Sequence, residues 1–299
     1  MHKISDEDLL REIRERLSEY KKTLIELQVL NEELKTANRK LEQSEALKSH
    51  FIANIANEIR NPFASILGFS GNILSGKSKS LKEIMPGIYH IFSEIFYLDF
   101  QFKNIFIAAK LEAGQVTPDI CSIDIQNLLK SLVESFRFEA KKKNLTITIK
   151  KRKSDKETSL FKSDPEKLKL ILSNLLSNGI KYSYQDGRID INYLINDRYL
   201  KISVRDYGEG ISKENQKIIF DRFQRADNGI NSLNRGHGLG LSVNKALLEI
   251  LQGKITVKTV INAGTTITIY LPESSSEITG IAGDDNEVIF NTNEDGAIF

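Results

Sequence analysis

The chain has 299 residues, 27% of them charged and 40% hydrophobic, and a formal net charge of +2. This near-balance gives no electrostatic reason to expect a nucleic acid or an anionic membrane as partner. The only cysteine, Cys121, excludes an intrachain disulfide, fits a reducing compartment and is expected to be packed rather than reactive.

Charged residues rather than an apolar signal core follow Met1. The most membrane-like run, IFSEIFYLDFQFKNIFIAAKL, is interrupted by Glu94, Asp99 and Lys103. A spanning helix needs about 20 largely uncharged residues, so a buried bundle helix, no membrane span and a cytosolic protein are expected.

Residues 6 to 48 contain no Gly or Pro and are rich in Glu, Lys, Arg and Leu. Leu10, Leu17, Leu24, Asn31 and Asn38 mark one heptad position; Ile13, Tyr20, Leu27, Leu34 and Leu41 mark another. This narrow seam, with Asn at a, predicts a parallel two-stranded coiled coil over 1–46; the alternative is a single amphipathic helix lying on its own domain. From Leu47 through Phe51, Ile55 and Ile59 the spacing becomes four residues, so the coil feeds a wider bundle. The helix is predicted to reach Leu74, and after SGKSKS a second runs from Leu81 to Glu112, with Gly114 as its stop. Two copies of this hairpin, residues 47–114, would form a dimeric four-helix bundle.

Residues 119–273 have a different texture. IQNLLKSLVESFRFEAKKKN and PEKLKLILSNLLSNGIKYS read as helices, as does the run after GHGLG. LTITIKKR, RIDINYLIN, YLKISVRD, KITVKTV and TTITIYLP alternate as strands. The fold class is therefore α+β, a coiled coil and helical hairpin followed by an α/β sandwich. Residues 274–299 are polar and acidic and are expected to form a mobile tail.

Four motifs within the sandwich point to a nucleotide. NLLSNGIKYS puts Asn174 and Asn178 one turn apart on one helix face, where two neutral amide oxygens suit a hydrated Mg²⁺ that bridges phosphates. Lys181 can meet phosphate as a point charge, and Tyr182 follows it. In DYGEG, Asp206 can accept from an exocyclic amine such as adenine's, while Gly208 and Gly210 permit close backbone approach to a ligand. FDRFQR supplies Phe220, Phe223 and Arg225. GHGLG (Gly236, Gly238, Leu239, Gly240) opens a helix whose N-terminus favours phosphate, with His237 expected to face solvent. Each motif alone is weak, since glycine pairs usually mark turns.

In this order the four resemble the N, G1, F and G2 boxes of the sensor histidine kinase ATP-binding domain. NAGTTITIYLP, with Gly264 and Thr265, resembles the family's last box, NEIRNP the H box, and AAKLEAGQV the end of the second dimerisation helix. The likeness covers Lys48 to Pro272 and implies a sandwich of the GHKL (Bergerat) type that binds Mg-ATP, a homodimer, and a separate response regulator as substrate. Related gyrase, mismatch-repair and chaperone ATPases place a water-activating Glu four residues before the metal-binding Asn; Asn174 stands there and is no general base.

The resemblance also exposes a departure. The phosphate-accepting histidine of the H box is replaced by Asn57, whose amide nitrogen delocalises its lone pair into the carbonyl. Autophosphorylation at residue 57 is expected to be absent. Glu58, the family's base, remains, and Glu58 with Asn61 matches the E-x-x-T/N pattern that positions water to dephosphorylate a regulator. Pro62 is expected to bend the helix. His50 and His90 have no adjacent acidic partner in sequence and are not expected to substitute. Three explanations stay open: a natural degenerate kinase retaining phosphatase or ATP-dependent scaffolding work, a chain that phosphorylates an active relative in trans, or an engineered acceptor-null form of an ordinary kinase. A catalytically inert nucleotide-regulated scaffold is the alternative from another class.

Overall fold

The computed structural model describes residues 6–75, 80–152, 160–196, 199–221, 238–275 and 280–281. By its contacts the chain divides after Ala56. The first unit consists of the leading part of α1 (Asp6–Leu74), which continues into the second. Its seam residues Leu17, Tyr20, Leu24, Leu27, Leu34 and Leu41 are each more than half exposed. Apolar side chains repeated at heptad spacing on one helix gain burial only from a partner surface.

In the second unit, the end of α1 lies against α2 (Leu81–Glu112), and both helices stop where their sequence signals fall. Phe69 and His90 stack with centroids 4.5 Å apart, so His90 serves packing between the helices. Pro62 is buried within α1, which continues through it. At the end of α2, Gly114 takes φ +65°, and Gln115 N–H bonds back to the Lys110 carbonyl at 2.9 Å. That is the left-handed stop for which glycine is suited.

The sandwich begins with β1 (Cys121–Asp124), α3 (Ile125–Ser135), α4 (Arg137–Lys142), β2 (Thr146–Lys151), β3 (Leu160–Ser163) and α5 (Pro165–Tyr182). It continues with β4 (Arg188–Ile195), β5 (Tyr199–Asp206), α6 (Lys213–Gln216), α7 (Gly240–Ile250), β6 (Lys254–Val260), β7 (Gly264–Pro272) and β8 (Gly280–Ile281). The main sheet has the order β2-β4-β5-β7-β6, with only β2 and β4 parallel. Strict alternation sends Ile189, Ile191, Tyr193 and Ile195 of β4 inward, matched by Leu200, Ile202 and Val204 of β5. They form the core with Leu168, Ile171, Leu172, Leu175 and Leu176 of α5, all at most 1% exposed. Pro165 occupies the first turn of α5, and Asp164 caps it by accepting from Lys167 N–H at 2.9 Å.

Two expectations need correction. The helix expected across IQNLLKSLVESFRFEAKKKN is two helices broken at Phe136. That ring is buried and packs edge-on against Phe96 and Phe100 of α2, at 5.2 and 5.9 Å. The acidic segment after Pro272 is not wholly free of the fold. Ser274 N–H donates to the Lys162 carbonyl at 3.2 Å, and β8 pairs in parallel with β1 in a second sheet, β3-β1-β8. These strands are too short for a period-2 pattern to reveal.

Candidate nucleotide site

A cavity of about 450 Å³ opens between α5, the ends of β5 and β7, the start of α7, and α2. Asn174, Asn178, Lys181 and Tyr182 reach it from α5. Asp206 and Gly210 reach it from the end of β5, and Thr265 from β7. Gly238, Leu239 and Gly240 close it at the N-terminus of α7. Gly208 is buried just behind this wall, and half-buried Phe220 lies outside it. Arg225, Gly236 and His237, with Phe223, fall outside the described residues.

Asp206 is held with care. Its Oδ1 accepts backbone N–H bonds from Gly208 and Thr265, each at 3.1 Å. Burial raises the carboxyl pKa above its ordinary value, and the Gly208 and Thr265 amides oppose the shift. Both glycines sit where backbone packs closely against backbone. A Cβ on Gly208 would lie 1.8 Å from the Tyr182 carbonyl oxygen, and one on Gly210, at φ +71°, would lie 2.2 Å from that of Val260. Only hydrogen side chains let the β5 end pass between the α5 terminus and β6.

The two α5 asparagines are not equivalent. Asn178 is half-exposed, whereas Asn174 is 3% exposed. Asn174 Nδ2 donates to Oδ1 of Asn104 and of Asn244, both at 2.8 Å, with the Gly240 carbonyl at 3.3 Å. Its Oδ1 receives no bond from any described donor and faces Gly240, whose Cβ position would be 3.2 Å away. A buried acceptor without a donor needs water or a cation. Among the described residues no three His, Cys, Asp or Glu side chains converge on a metal position. Amide oxygens beside a glycine-opened cavity fit a Mg²⁺ that arrives with nucleotide phosphates and its own waters.

Sequence reasoning missed Lys143, which lines the cavity and donates to the Lys181 and Ser183 carbonyls at 2.5 and 3.0 Å. It satisfies carbonyls at the end of α5, and burial lowers its ammonium pKa while Glu209 opposes the shift. The α2 wall was missed too. Ser93 donates to Glu139 and accepts from Lys142 Nζ at 2.7 Å, which ties α2 to α4. The sequence traces of this wall are Glu94 and Asn104, polar residues inside the apolar run IFSEIFYLDFQFKNIFIAAKL.

The H-box residues stand apart from the cavity wall. Asn57 is exposed, and its Oδ1 accepts a long 3.4 Å bond from Arg60 Nη1. Asn61 is exposed, and the Glu58 side chain lies outside the described residues. So does that of His50.

Residues 163–275 match the family described as Histidine kinase-, DNA gyrase B-, and HSP90-like ATPase. Over 230 residues the chain is 30% identical to the heme sensor protein HssS of Staphylococcus saprophyticus, covering 77% of this chain and 47% of that one. Over 294 residues it is 28% identical to the sensor histidine kinase GacS of Pseudomonas protegens, covering 93% of this chain and 31% of that one. The chain belongs to the sensor histidine kinase family. This family comprises ATP-dependent phosphotransferases, and the present member spans less than half the length of either relative. Its fold is also that of full-length ShkA in complex with AMPPNP, at TM-score 0.52 and 21% identity, over 76% of this chain and 46% of that one. Among the described residues no helix of this histidine kinase family member is long and apolar enough to cross a membrane.

Proposed function

We propose that this chain binds Mg-ATP in the α2–α5–α7 cavity and acts on a response regulator, with residue 57 silent as a phosphate acceptor. The observation that carries the reading is Asp206, a buried carboxylate whose Oδ1 is pinned by two backbone amides while Oδ2 keeps its acceptor capacity. A carboxylate so placed accepts from the exocyclic amine of adenine. AMPPNP, carried by ShkA, offers the same amine.

The rest of the cavity supplies the phosphate end. Asn178 and Asn174 present amide oxygens, Lys181 an ammonium, and backbone N–H groups at the start of α7 a positive helix terminus. When bound, Mg²⁺ neutralises phosphate charge and fixes the terminal phosphoryl group. Asn174 cannot deprotonate water, so the site is suited to hold ATP rather than hydrolyse it rapidly. Asn57 cannot accept the phosphoryl group, but Glu58 and Asn61 retain the pattern for orienting water on a phosphorylated regulator. A working homodimer is supported by the exposed heptad seam and by Phe63, Leu67, Phe102 and Phe106, exposed on the hairpin by 46–71%.

Two incubations test this function. Calorimetry with ATP and Mg²⁺ should give one site per chain. A phosphorylated response regulator should lose its label in the presence of the chain, and Asn61→Ala should abolish that loss. Nucleotide uptake with no effect on any regulator favours the scaffold reading. Absence of uptake, or a phosphoryl adduct on residue 57, refutes the proposal.

A further inference from the structure

We infer that Asn104, on α2, is a positioning residue that orients the metal-facing amide of Asn174 and so makes Mg-nucleotide affinity depend on where α2 sits. This inference rests on the Mg-ATP reading of the cavity. Its basis is a chain of three buried amides whose directions are fixed by what each can bond. Asn104 Nδ2 donates to the Phe100 carbonyl at 3.0 Å, and Asn244 Nδ2 donates to the Ile171 carbonyl at 3.0 Å. A backbone carbonyl can only accept, so neither amide can be turned over without setting two oxygens against each other.

Both therefore present Oδ1 to Asn174. That residue must answer with Nδ2, at 2.8 Å to each. Its two amide hydrogens are thereby used, and Oδ1 is left aimed at the Gly240 side of the cavity. The three side chains are 3%, 3% and 0% exposed for Asn104, Asn174 and Asn244, so water does not compete. An amide free to turn would present nitrogen to a cation as often as oxygen. The lock removes that choice before the ligand arrives.

Asn244 and Asn174 both belong to the sandwich, whereas Asn104 belongs to the helical hairpin. With the longer Gly240 carbonyl contact at 3.3 Å also in the sandwich, one of the two short orienting bonds depends on α2 staying docked, which the Ser93–Glu139–Lys142 contacts and the Phe136 ring secure. A turn or slide of α2 that withdraws Asn104 would loosen the amide without touching the adenine end.

The test separates metal coupling from nucleotide binding. In the full chain, ADP affinity is measured by calorimetry with Mg²⁺ and with EDTA, for wild type and for Asn104→Leu. The expected result is an unchanged EDTA affinity, within twofold, and a loss of about tenfold in the enhancement given by Mg²⁺, the scale of an outer-shell partner's removal. Should leucine lower the melting temperature, Asn104→Ala adds no atom to the interface and carries the same expectation. Retention of the full Mg²⁺ enhancement overturns the inference, and so does an equal fall with and without Mg²⁺, which would make Asn104 a packing residue only. A wild-type chain that takes up no nucleotide in either condition fails the underlying Mg-ATP reading instead.

Discussion

Replacing Asp206 by asparagine should separate function from stability in opposite directions. The asparagine carbonyl can keep the Gly208 and Thr265 N–H bonds now made at 3.1 Å to Oδ1, while an NH₂ group replaces Oδ2 toward the cavity. Adenine's amine would then meet a donor. Losing a hydrogen bond to a charged acceptor costs about 1.5–3 kcal/mol, or roughly 10- to 150-fold in Kd. For the fold the sign reverses. Burial raises the folded-state carboxyl pKa, so between the unfolded and folded values the native chain binds more protons, and stability falls as pH rises through the folded value. Above that value the ionised carboxylate is a net penalty that the neutral amide escapes. At pH 7 the Asp206→Asn chain should melt at or above the wild-type temperature, and this advantage should fade below the ordinary aspartate pKa of about 3.9. Calorimetric titration with ATP and scanning calorimetry read the two effects. ATP affinity within twofold of wild type, or a lower melting temperature at pH 7, would refute the reasoning.

Gly208→Ala should lower the melting temperature by roughly 2–12 °C, the range for an overpacking of about 1–3 kcal/mol in a domain of this size, because its Cβ would lie 1.8 Å from backbone oxygen. Asn57→His should yield acid-labile label from radioactive ATP, retained on filters through an alkaline wash and lost in an acid wash, since the new imidazole restores a nucleophile at an exposed position. Acidification should weaken ATP binding from a pH above the ordinary aspartate value, because protonated Asp206 loses acceptor capacity, and a calorimetric pH series checks it.

What the sequence disclosed and what it hid divide along physical lines. Strands β4 and β5 and helix α5 are legible because their side chains alternate, or recur at helical spacing, against one buried face. Helix ends at Leu74, Leu81 and Glu112 follow from local breakers, which act through the backbone alone. The break at Phe136 could not be read, since what interrupts the helix is a ring wedged against Phe96 and Phe100, about forty positions away. Within the site, Asn174, Asn178 and Asp206 are visible through spacing and glycine neighbours. The difference between Asn174 and Asn178, one enclosed and one half-exposed, depends on α2, which no local pattern reports. Lys143 was hidden for a similar reason: in KKKN only the third lysine reaches the end of α5.

The same side chain stands at both ends of the supposed transfer, and its surroundings give it opposite meanings. At residue 57 the amide is exposed, loosely met by Arg60 at 3.4 Å, and nothing can make its nitrogen a nucleophile, because conjugation with its own carbonyl is intrinsic. At residue 174 that conjugation is an asset: it concentrates charge on an oxygen that two neighbouring amides aim in one direction. A carboxylate at 174 could not donate to Asn104 and Asn244, and would set its oxygens against theirs at 2.8 Å. The amide chain therefore disfavours the water-activating acid of the related ATPases at this position, independently of any demand from phosphoryl chemistry. Residue 57, on α1, takes no part in that chain, so the identity of its side chain leaves the Asn104–Asn174–Asn244 contacts untouched.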